Sequence, residues 1–584
     1  MSQINNNLTW ETIDWAKVHK RLHRQQRRIF KASRDRNKYL VHKLQIQLVK
    51  SLDAKLAAVQ LVTTLNRGKN TFGVDKQVYT TSLQKINLAY SLKLDGKAHP
   101  IRRIWILKPG KKEKRPQDIP TIRDRAKQYI AKLALEPEWE AIFEPNSYGF
   151  RPGRSPHDAI EAIFIMLIKQ KRTILNADIS KCFDCIDHDV LLSKLSTFPK
   201  METQIKAWLK ARIMEEFANR DKQSILNTRG TPQGGIISPL LANIALHGLE
   251  NHIKDWYVNS KLYDPTKRKS LVRYKQEISL IRYADDFIVI HAQTHVIQLA
   301  QDEISRWLAG IGLELNVDKT NTKISYQGFI FLGHQCITVQ RHKKHQVKIH
   351  ISRTSKAQLI EKIGFELQKR KASSAYDLIQ VLSCIIIGWG NYFRYTECSD
   401  DFKQMNSRIY SLLRSWVFRR SAQNKGRQFL KQKYFPEGQT YEYNGTIHQD
   451  NWVLFGKTKI NGQTKTNFLP KLTWIKSLKH VKVKEDSSPF DGNHCYWAQR
   501  LASYQAMDKT RAKLLKMQRG VCPICKQKFN ITDSIDKDHI IAIANGGSNK
   551  ISNLQLIHTY CHVRKTREDK KKQRQTKLIQ HRIL

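Results

Sequence analysis

Leu280-Ile281-Arg282-Tyr283-Ala284-Asp285-Asp286-Phe287-Ile288-Val289-Ile290 sets two adjacent carboxylates between short apolar, β-branched runs. This pattern predicts a buried strand, a tight turn and a returning strand. Adjacent acids repel, so a pair at the tip of an apolar hairpin calls for a divalent cation; Mg²⁺ takes carboxylate oxygens and keeps positions open for substrate phosphates. An isolated Asp-Asp pair can also be a solvated turn. The enclosing hydrophobic sequence, and a third acid upstream in similar surroundings, tell against that alternative.

The third acid is Asp178, in Ile174-Leu175-Asn176-Ala177-Asp178-Ile179-Ser180-Lys181-Cys182-Phe183-Asp184. One carboxylate from one strand and one or two from a hairpin can hold two cations about 4 Å apart, a geometry that activates a 3′-hydroxyl and stabilises a leaving pyrophosphate. With Tyr283-Ala284-Asp285-Asp286 and the Asp178 segment, the chain resembles a reverse transcriptase. The resemblance implies a palm hairpin, deoxynucleoside triphosphate substrates, and Asp178, Asp285 and Asp286 as catalytic Mg²⁺ ligands. It also implies that Phe183 lies under the sugar, where it would clash with a 2′-hydroxyl.

The chain has 584 residues, enough for roughly three to four domains. Its formal charge of +51, from 102 Lys and Arg against 51 Asp and Glu, makes the compact state self-repelling unless polyanions share it. Extended phosphate contacts and steeply salt-dependent binding are expected. No continuous apolar segment reaches the ~18 residues of a spanning helix, and the polar start Met1-Ser2-Gln3-Ile4-Asn5-Asn6-Asn7 lacks a signal-peptide core. An intracellular, cytoplasmic protein without a membrane partner is therefore expected, and nine cysteines in so long a chain suit a reducing compartment.

From Trp10 to about Thr64, Lys, Arg, Gln, Leu and Ala recur with helical periodicity, Val41, Leu44, Leu48 and Leu52 among the apolar positions. Two basic amphipathic helices are predicted, either an RNA-facing extension or ordinary solvated faces. Alternating residues before Lys108, then Pro109-Gly110, predict a hairpin of the fingers type. Lys108 and Arg115 on it are candidates to hold the incoming triphosphate, or surface cations. Ser147-Tyr148-Gly149-Phe150-Arg151-Pro152-Gly153-Arg154-Ser155 reads as a basic loop entering a helix. In Thr231-Pro232-Gln233-Gly234-Gly235, the glycines permit close backbone approach and Gln233 offers an amide to sugar or base; a structural turn is the alternative.

The order Asp178, Pro232-Gln233-Gly234, Tyr283-Ala284-Asp285-Asp286 repeats that of the reverse-transcriptase palm. Gly312-Leu313-Glu314-Leu315-Asn316-Val317-Asp318-Lys319-Thr320 and Phe331-Leu332-Gly333 match the segments where a lysine, here Lys319, supports the site and a strand contacts the primer. Together these resemblances span about residues 70 to 345. Lys76, Gln117-Asp118 and Ile330 depart from the family's pattern without touching the three acids. Cys182 and Cys185 have no second pair nearby to complete a metal site.

Residues 350 to 480 read as basic and helical, with Trp389, Trp416, Trp452 and Trp474 either stacking on bases or anchoring a helical core. Gly388-Trp389-Gly390-Asn391-Tyr392-Phe393 resembles the thumb-like domain X of group II intron maturases, which implies intron RNA as partner. Near the end, Cys522-Pro523-Ile524-Cys525 and His558-Thr559-Tyr560-Cys561 supply the four ligands of a tetrahedral structural Zn²⁺. Asp538, His539, Asn553 and His562 are left over and resemble an HNH nuclease. The resemblance implies His539 as general base, and Asp538, Asn553 and His562 around one divalent ion. A zinc ribbon without activity is the alternative, and Cys often stands where His558 does, so the fourth zinc ligand is the least fixed.

The expected architecture is α+β and multidomain: a right-hand polymerase of fingers and palm, a helical thumb-like domain X, and a small ββα-metal HNH zinc domain. The expected boundaries are 1–68 for the basic extension, 69–345 for fingers and palm, 346–480 for domain X, 481–514 for a DNA-binding linker, and 515–584 for the nuclease with its basic tail. The chain thus resembles a group II intron-encoded protein, in which reverse transcription, maturase-assisted splicing and DNA cleavage serve retrohoming. Intron RNA, target DNA and deoxynucleoside triphosphates are the implied partners, a homodimer on the RNA is allowed, and a bacterial ribonucleoprotein location follows. A non-mobile splicing cofactor, or a reverse transcriptase of a defence or diversity-generating system, are the alternatives; intact acids tell against the first, domain X and the C-terminal HNH against the second.

Overall fold

The computed structural model describes residues 9–107, 113–168, 171–216, 222–225, 227–341, 344–420, 426–460, 463–503, 509–530 and 533–583. A four-stranded antiparallel sheet stands at its centre. Strand Thr173–Asp178 lies between Asp286–His291 and Asn321–Ile324, and Ser279–Tyr283 forms the far edge beside Asp286–His291. Successive side chains of a strand point to opposite faces. Leu175, Ala177, Leu280, Phe287 and Val289 accordingly join the largest core, with Val296, Ile297, Ala300 and Ile304 of helix Thr294–Ala309. Ile174, Ile281, Ile288 and Ile290 join a separate cluster with Ala159, Ile160 and Ile163 of helix Pro156–Leu167. Burial on both faces is why these strands read as unbroken apolar runs and not as polar-apolar alternation.

The predicted hairpin is present as strands Ile101–Leu107 and Lys114–Ile119, paired from Arg102 opposite Ile119 to Leu107 opposite Lys114. Its Pro109-Gly110 turn falls outside the described residues. Strand Ile213–Glu216 extends this sheet in parallel with Ile101–Leu107, and Lys222–Ile225 closes it.

The N-terminal segment forms three helices, Trp15–Arg34, Lys38–Lys50 and Leu52–Gln60, where two were expected. Ser51 makes the difference. Its extended backbone (ψ 140°) breaks the run, and its hydroxyl caps the next helix by accepting from Ala54 N at 3.2 Å. Val41, Leu44 and Leu48 are buried as the periodicity required, whereas Leu52, beyond the break, is exposed. Gln26 and Gln45 donate to the carbonyls of Leu133 and Ala134, which ties this bundle to helix Ile122–Glu140.

After residue 350, helices Arg353–Lys369, Ala375–Phe393, Ser399–Phe418 and Arg427–Tyr434 share one hydrophobic cluster. The helical reading fails beyond them: Thr440–Tyr443 pairs with Thr446–Gln449, and Phe455–Ile460 with Gln463–Phe468. Asn444 and Gly445, both with positive φ, make the first turn, and Asn-Gly between alternating residues is a strong hairpin signal that the basic composition masks. Trp416 and Trp474 are buried and Trp389 packs against the helical core, so these three are anchors. Trp452 is 51% exposed and stacks on Tyr410. Among the described residues no helix is long and apolar enough to cross a membrane.

The segment after Leu478 is fastened to the central domain in part by one carboxylate. Asp158 caps its own helix with Ser155 and, fully buried, also accepts from Arg500 Nη2 at 2.6 Å, His480 Nε2 at 3.0 Å and Val483 N at 2.8 Å. The cationic and hydrogen-bonding partners outweigh burial and hold this carboxyl well below the usual range. Removing one partner of a buried ion pair leaves the other uncompensated. Asp158→Ala should therefore destabilise the chain by about 3–5 kcal/mol, read as a lower urea midpoint. An unchanged midpoint would show that the contact carries no net energy.

Candidate active sites and metal centre

The central sheet brings the three acids together. Asp178 pairs directly with Asp286 across neighbouring strands, and Tyr283 pairs with Asp286, leaving Ala284 and Asp285 as a two-residue turn. Ala284 holds φ at +59°, a left-handed position that costs an L-residue about 1–2 kcal/mol. The turn persists because its surroundings fix it. Tyr148 N donates to Arg282 O at 2.9 Å and Arg282 N to Asn146 O at 2.9 Å, so the Asn146–Gly149 segment runs beside the strand. Gly149 sits so close that a Cβ there would lie 2.3 Å from Ala284 N. Arg282, 1% exposed, donates from one nitrogen to Asn243 Oδ1 at 3.1 Å and to Ala284 O at 3.2 Å, and Asn243 donates to Gly149 O at 2.8 Å.

Burial, with Asp285 and Asp178 close by, pushes the Asp286 carboxyl up to about 7, and burial also raises Asp285. Three carboxylates cannot all ionise there without a cation. Lys319 supplies part of the compensation: its Nζ donates to Asp178 Oδ2 at 2.5 Å, and the ammonium is raised above its ordinary range first by that bond. It arrives by backbone pairing, since Asn316 N donates to Asp178 O and Ser180 N to Glu314 O.

Gln233 is fixed from three sides. Its Nε2 donates to both carboxylate oxygens of Asp184, at 3.0 and 2.9 Å, its N donates to Asp118 Oδ2 at 3.1 Å, and its O accepts from Asp118 N at 2.8 Å. Asp118, one of the departures noted above, is buried and paired bidentately with Arg103 at 2.7 and 3.0 Å. Gly234 leaves room for this approach, because a Cβ would meet Asp118 O at 2.2 Å. Phe183, beside Asp184, packs edge-on against Phe150 with ring centroids 6.1 Å apart. Arg115 is exposed on the hairpin, and Lys108 lies outside the described residues. The Ser147–Ser155 loop is structural: Arg151 is buried in a bidentate pair with Glu140, and Arg154 donates to Pro145 O and Glu485 O.

The C-terminal module is two antiparallel strands, Ile535–His539 and Leu554–His558, followed by helix Thr559–Ile583. Asp538 and His539 end the first strand, Asn553 precedes the second, and His562 lies in the first turn of the helix. His562 Nε2 lies 3.5 Å from Asp538 Oδ1, and its Nδ1 lies 3.0 Å from Asp536 Oδ2. Gln555 and Lys565 also reach Asp538 Oδ2, both at 3.2 Å. His539 Nε2 meets Asn549 Oδ1 at 2.8 Å. Asn553 faces the loop: its Oδ1 accepts from Ile541 N at 2.9 Å, and its Nδ2 donates to Ile541 O and Ser548 O at 3.0 and 2.8 Å. Asp536 and Asn549 carried no sequence signal. Arg282 and Asn243 also went unmarked, although the Gly149 motif beside them was visible.

Cys522, Cys525, His558 and Cys561 place one ligand atom each within 4.8 Å of one another. Three thiols and an imidazole are the soft and borderline donors that Zn²⁺ takes. Cys525 Sγ is 3.4 Å from His558 Nδ1, while His558 Nε2 meets Asp533 Oδ2 at 3.2 Å. Hydrogen bonds from Cys525 and Cys561 hold the Cys522 thiol well below its ordinary range. The module's core is small, with Leu501, Leu514, Leu515, Phe529, Leu556 and Ile557 as its buried aliphatic and aromatic members. Cys182 and Cys185 belong to no metal-ligand group among the described residues.

Comparison with known proteins agrees with this arrangement along the chain. Residues 10–92 match the N-terminal domain of reverse transcriptase, 106–336 the reverse transcriptase (RNA-dependent DNA polymerase) family, 357–435 the group II intron maturase-specific domain, and 522–568 the HNH endonuclease family. Protein YkfC of Escherichia coli is 33% identical over 314 residues, 48% of this chain and 80% of that protein. The group II intron-encoded protein LtrA of Lactococcus lactis is 30% identical over 331 residues, 47% of this chain and 53% of LtrA. An uncharacterised 91 kDa protein in the cob intron of Schizosaccharomyces pombe is 30% identical over 518 residues, 74% of this chain and 62% of that protein. The aligned region thus spans about half of LtrA. The chain belongs to the group II intron-encoded proteins, with a reverse transcriptase, a maturase domain and an HNH endonuclease in one polypeptide.

Proposed function

We propose that this protein binds its intron RNA and assists splicing, cuts one strand of a DNA target, and copies the RNA into DNA from the cut end. The observation that carries the reading is the direct pairing of Asp178 with Asp286 beside the Asp285 turn. Residues 69–345 act as fingers and palm, 346–480 as a thumb-like RNA-binding domain, and 515–584 as the nuclease, with 1–68 and 481–514 as flanking basic segments. The excess of cations supports binding of both nucleic acids. A cytoplasmic ribonucleoprotein location fits this work.

Asp178, Asp285 and Asp286 would hold two Mg²⁺ ions, favoured by an all-oxygen donor set, and these supply activation of the 3′-hydroxyl and stabilisation of the departing pyrophosphate. Lys319 balances the acids while the site is empty of substrate. Lys108 and Arg115 neutralise the triphosphate, and Phe183 excludes a 2′-hydroxyl. Gln233, its amino group engaged by Asp184, keeps its Oε1 as the acceptor for the sugar.

In the nuclease, donation from His539 Nε2 to Asn549 leaves Nδ1 bare to take the proton of the attacking water. Asp536 holds His562 Nδ1 in the same manner, leaving Nε2 beside Asp538 for a divalent ion that stabilises the leaving 3′-oxygen. Asn553 was expected as a third ligand. Its amide is committed to Ile541 and Ser548, so we assign it to holding the loop between His539 and Asn549. Cys522, Cys525, His558 and Cys561 would hold a structural Zn²⁺, which would supplement the small core of this module.

Replacing Asp285 and Asp286 by Ala should abolish DNA synthesis on an RNA template and leave intron-RNA affinity intact. Polymerisation near the unsubstituted rate would defeat the assignment. Gly149→Ala, which drives a methyl into the turn, should lower polymerisation by about 100-fold with the RNA still bound, because a displacement of about 1 Å at reacting groups has that effect. His539→Ala should remove strand cleavage of target DNA while primer extension continues; an unchanged nick on a sequencing gel would rule out the general-base role.

A further inference from the structure

We propose that helix Trp15–Arg34 of the N-terminal domain supplies outer partners of the zinc centre, so that zinc retention and seating of the nuclease on the polymerase body are one coupled equilibrium; this rests on reading Cys522, Cys525, His558 and Cys561 as the zinc ligands.

Two lines of contact run from that helix to the same ligand. In the first, His23 Nε2 donates to Asp533 Oδ1 at 3.3 Å, and the other oxygen of Asp533 accepts from His558 Nε2 at 3.2 Å. That bond leaves His558 Nδ1, the atom 3.4 Å from Cys525 Sγ, to face the cluster. Carboxylates in this position orient a ligating imidazole and increase its basicity, and their loss typically costs 10–100-fold in metal affinity. Here the carboxylate is itself gripped by a histidine from a domain some five hundred residues away, and its side chain is only 9% exposed. In the second line, His19 stacks on Tyr560 at 4.9 Å and 13° between planes, and Tyr560 stacks on His558 at 4.8 Å and 9°. The rings form a continuous pile from the N-terminal helix to the ligand.

Further contacts fix the same face. Gln527 Nε2, two residues past Cys525, donates to Ala16 O at 2.8 Å, and Arg567 of the C-terminal helix meets Glu11 at 3.5 Å. Ordinary packing would join the modules without touching metal retention. The His23 and His19 lines end instead on the imidazole and carboxylate that set the ligand's orientation, so a change at either end must be felt at the other. The consequence for the proposed reaction is geometric: a metal-loaded nuclease is held on the polymerase, and the cut end is released near the machinery that extends it.

The test uses the full chain loaded with zinc, with metal content measured by atomic emission. The rate of zinc transfer to a chromogenic chelator is then compared for the unsubstituted protein, His23→Ala and His19→Ala. One zinc per chain, released about tenfold faster by each variant, is the expected result. Reciprocity is read without substitution, as faster hydrogen exchange of Trp15–Arg34 in the unsubstituted chain once the metal is chelated. Equal transfer rates with unchanged exchange would overturn the coupling, while an unsubstituted chain that holds no zinc would overturn the zinc centre itself.

Discussion

Mutual repulsion of three carboxylates is the constraint on which the polymerase half of this molecule is built. A β-ladder places Asp178 opposite Asp286 and cannot let them drift apart without breaking strand pairing inside two hydrophobic clusters. Burial, reinforced by that repulsion, pushes the Asp286 carboxyl up to about 7. Everything nearby either offsets it, as Lys319 does, or holds the backbone that carries it, as Gly149, Arg282 and Asn243 do. Such a site is poised for cations because the free state is electrostatically unsatisfied.

The same logic explains why so much of the rim is polar and tightly bonded. Gln233 has both its backbone and its amide engaged, through Asp118 and Asp184, and Asp118 in turn is neutralised by Arg103. A departure from the family's usual pattern at Asp118 is thus compensated locally by a buried bidentate pair, which keeps the Pro232-Gln233-Gly234 loop seated. The arginines of the basic loop, Arg151 and Arg154, serve the scaffold by satisfying carbonyls and Glu140. Charge excess predicts a polyanion partner for the molecule but does not say which cations meet it.

The C-terminal module faces the opposite problem. It has few apolar residues to bury; its strands and helix converge on the Cys522, Cys525, His558 and Cys561 cluster, and it leans on the N-terminal helix through His19, His23 and Ala16. Segments remote in sequence become neighbours, and the residues proposed for the nuclease lie on the strands and helix of the module that meets helix Trp15–Arg34.

How much of this was legible beforehand follows from the range over which each feature is encoded. Local patterns determined the Asp285-Asp286 hairpin, the Lys114–Ile119 strand and the Cys522 and Cys525 pair, because strand period, turn chemistry and ligand spacing act over a few residues, whereas the ββα order followed from the resemblance to an HNH nuclease. The Asn444-Gly445 hairpin was equally local but was hidden by a basic composition that favoured helix. Tertiary structure alone decided the rest. Which face of helix Trp15–Arg34 would touch the metal module, that Asn553 would hold a loop, that Asp158 would fasten residues 480–500, and that Gly149 would press on Ala284 all depend on contacts between distant segments. Those contacts are selected by packing and by the need to pair buried polar groups, and neither leaves a period in the sequence.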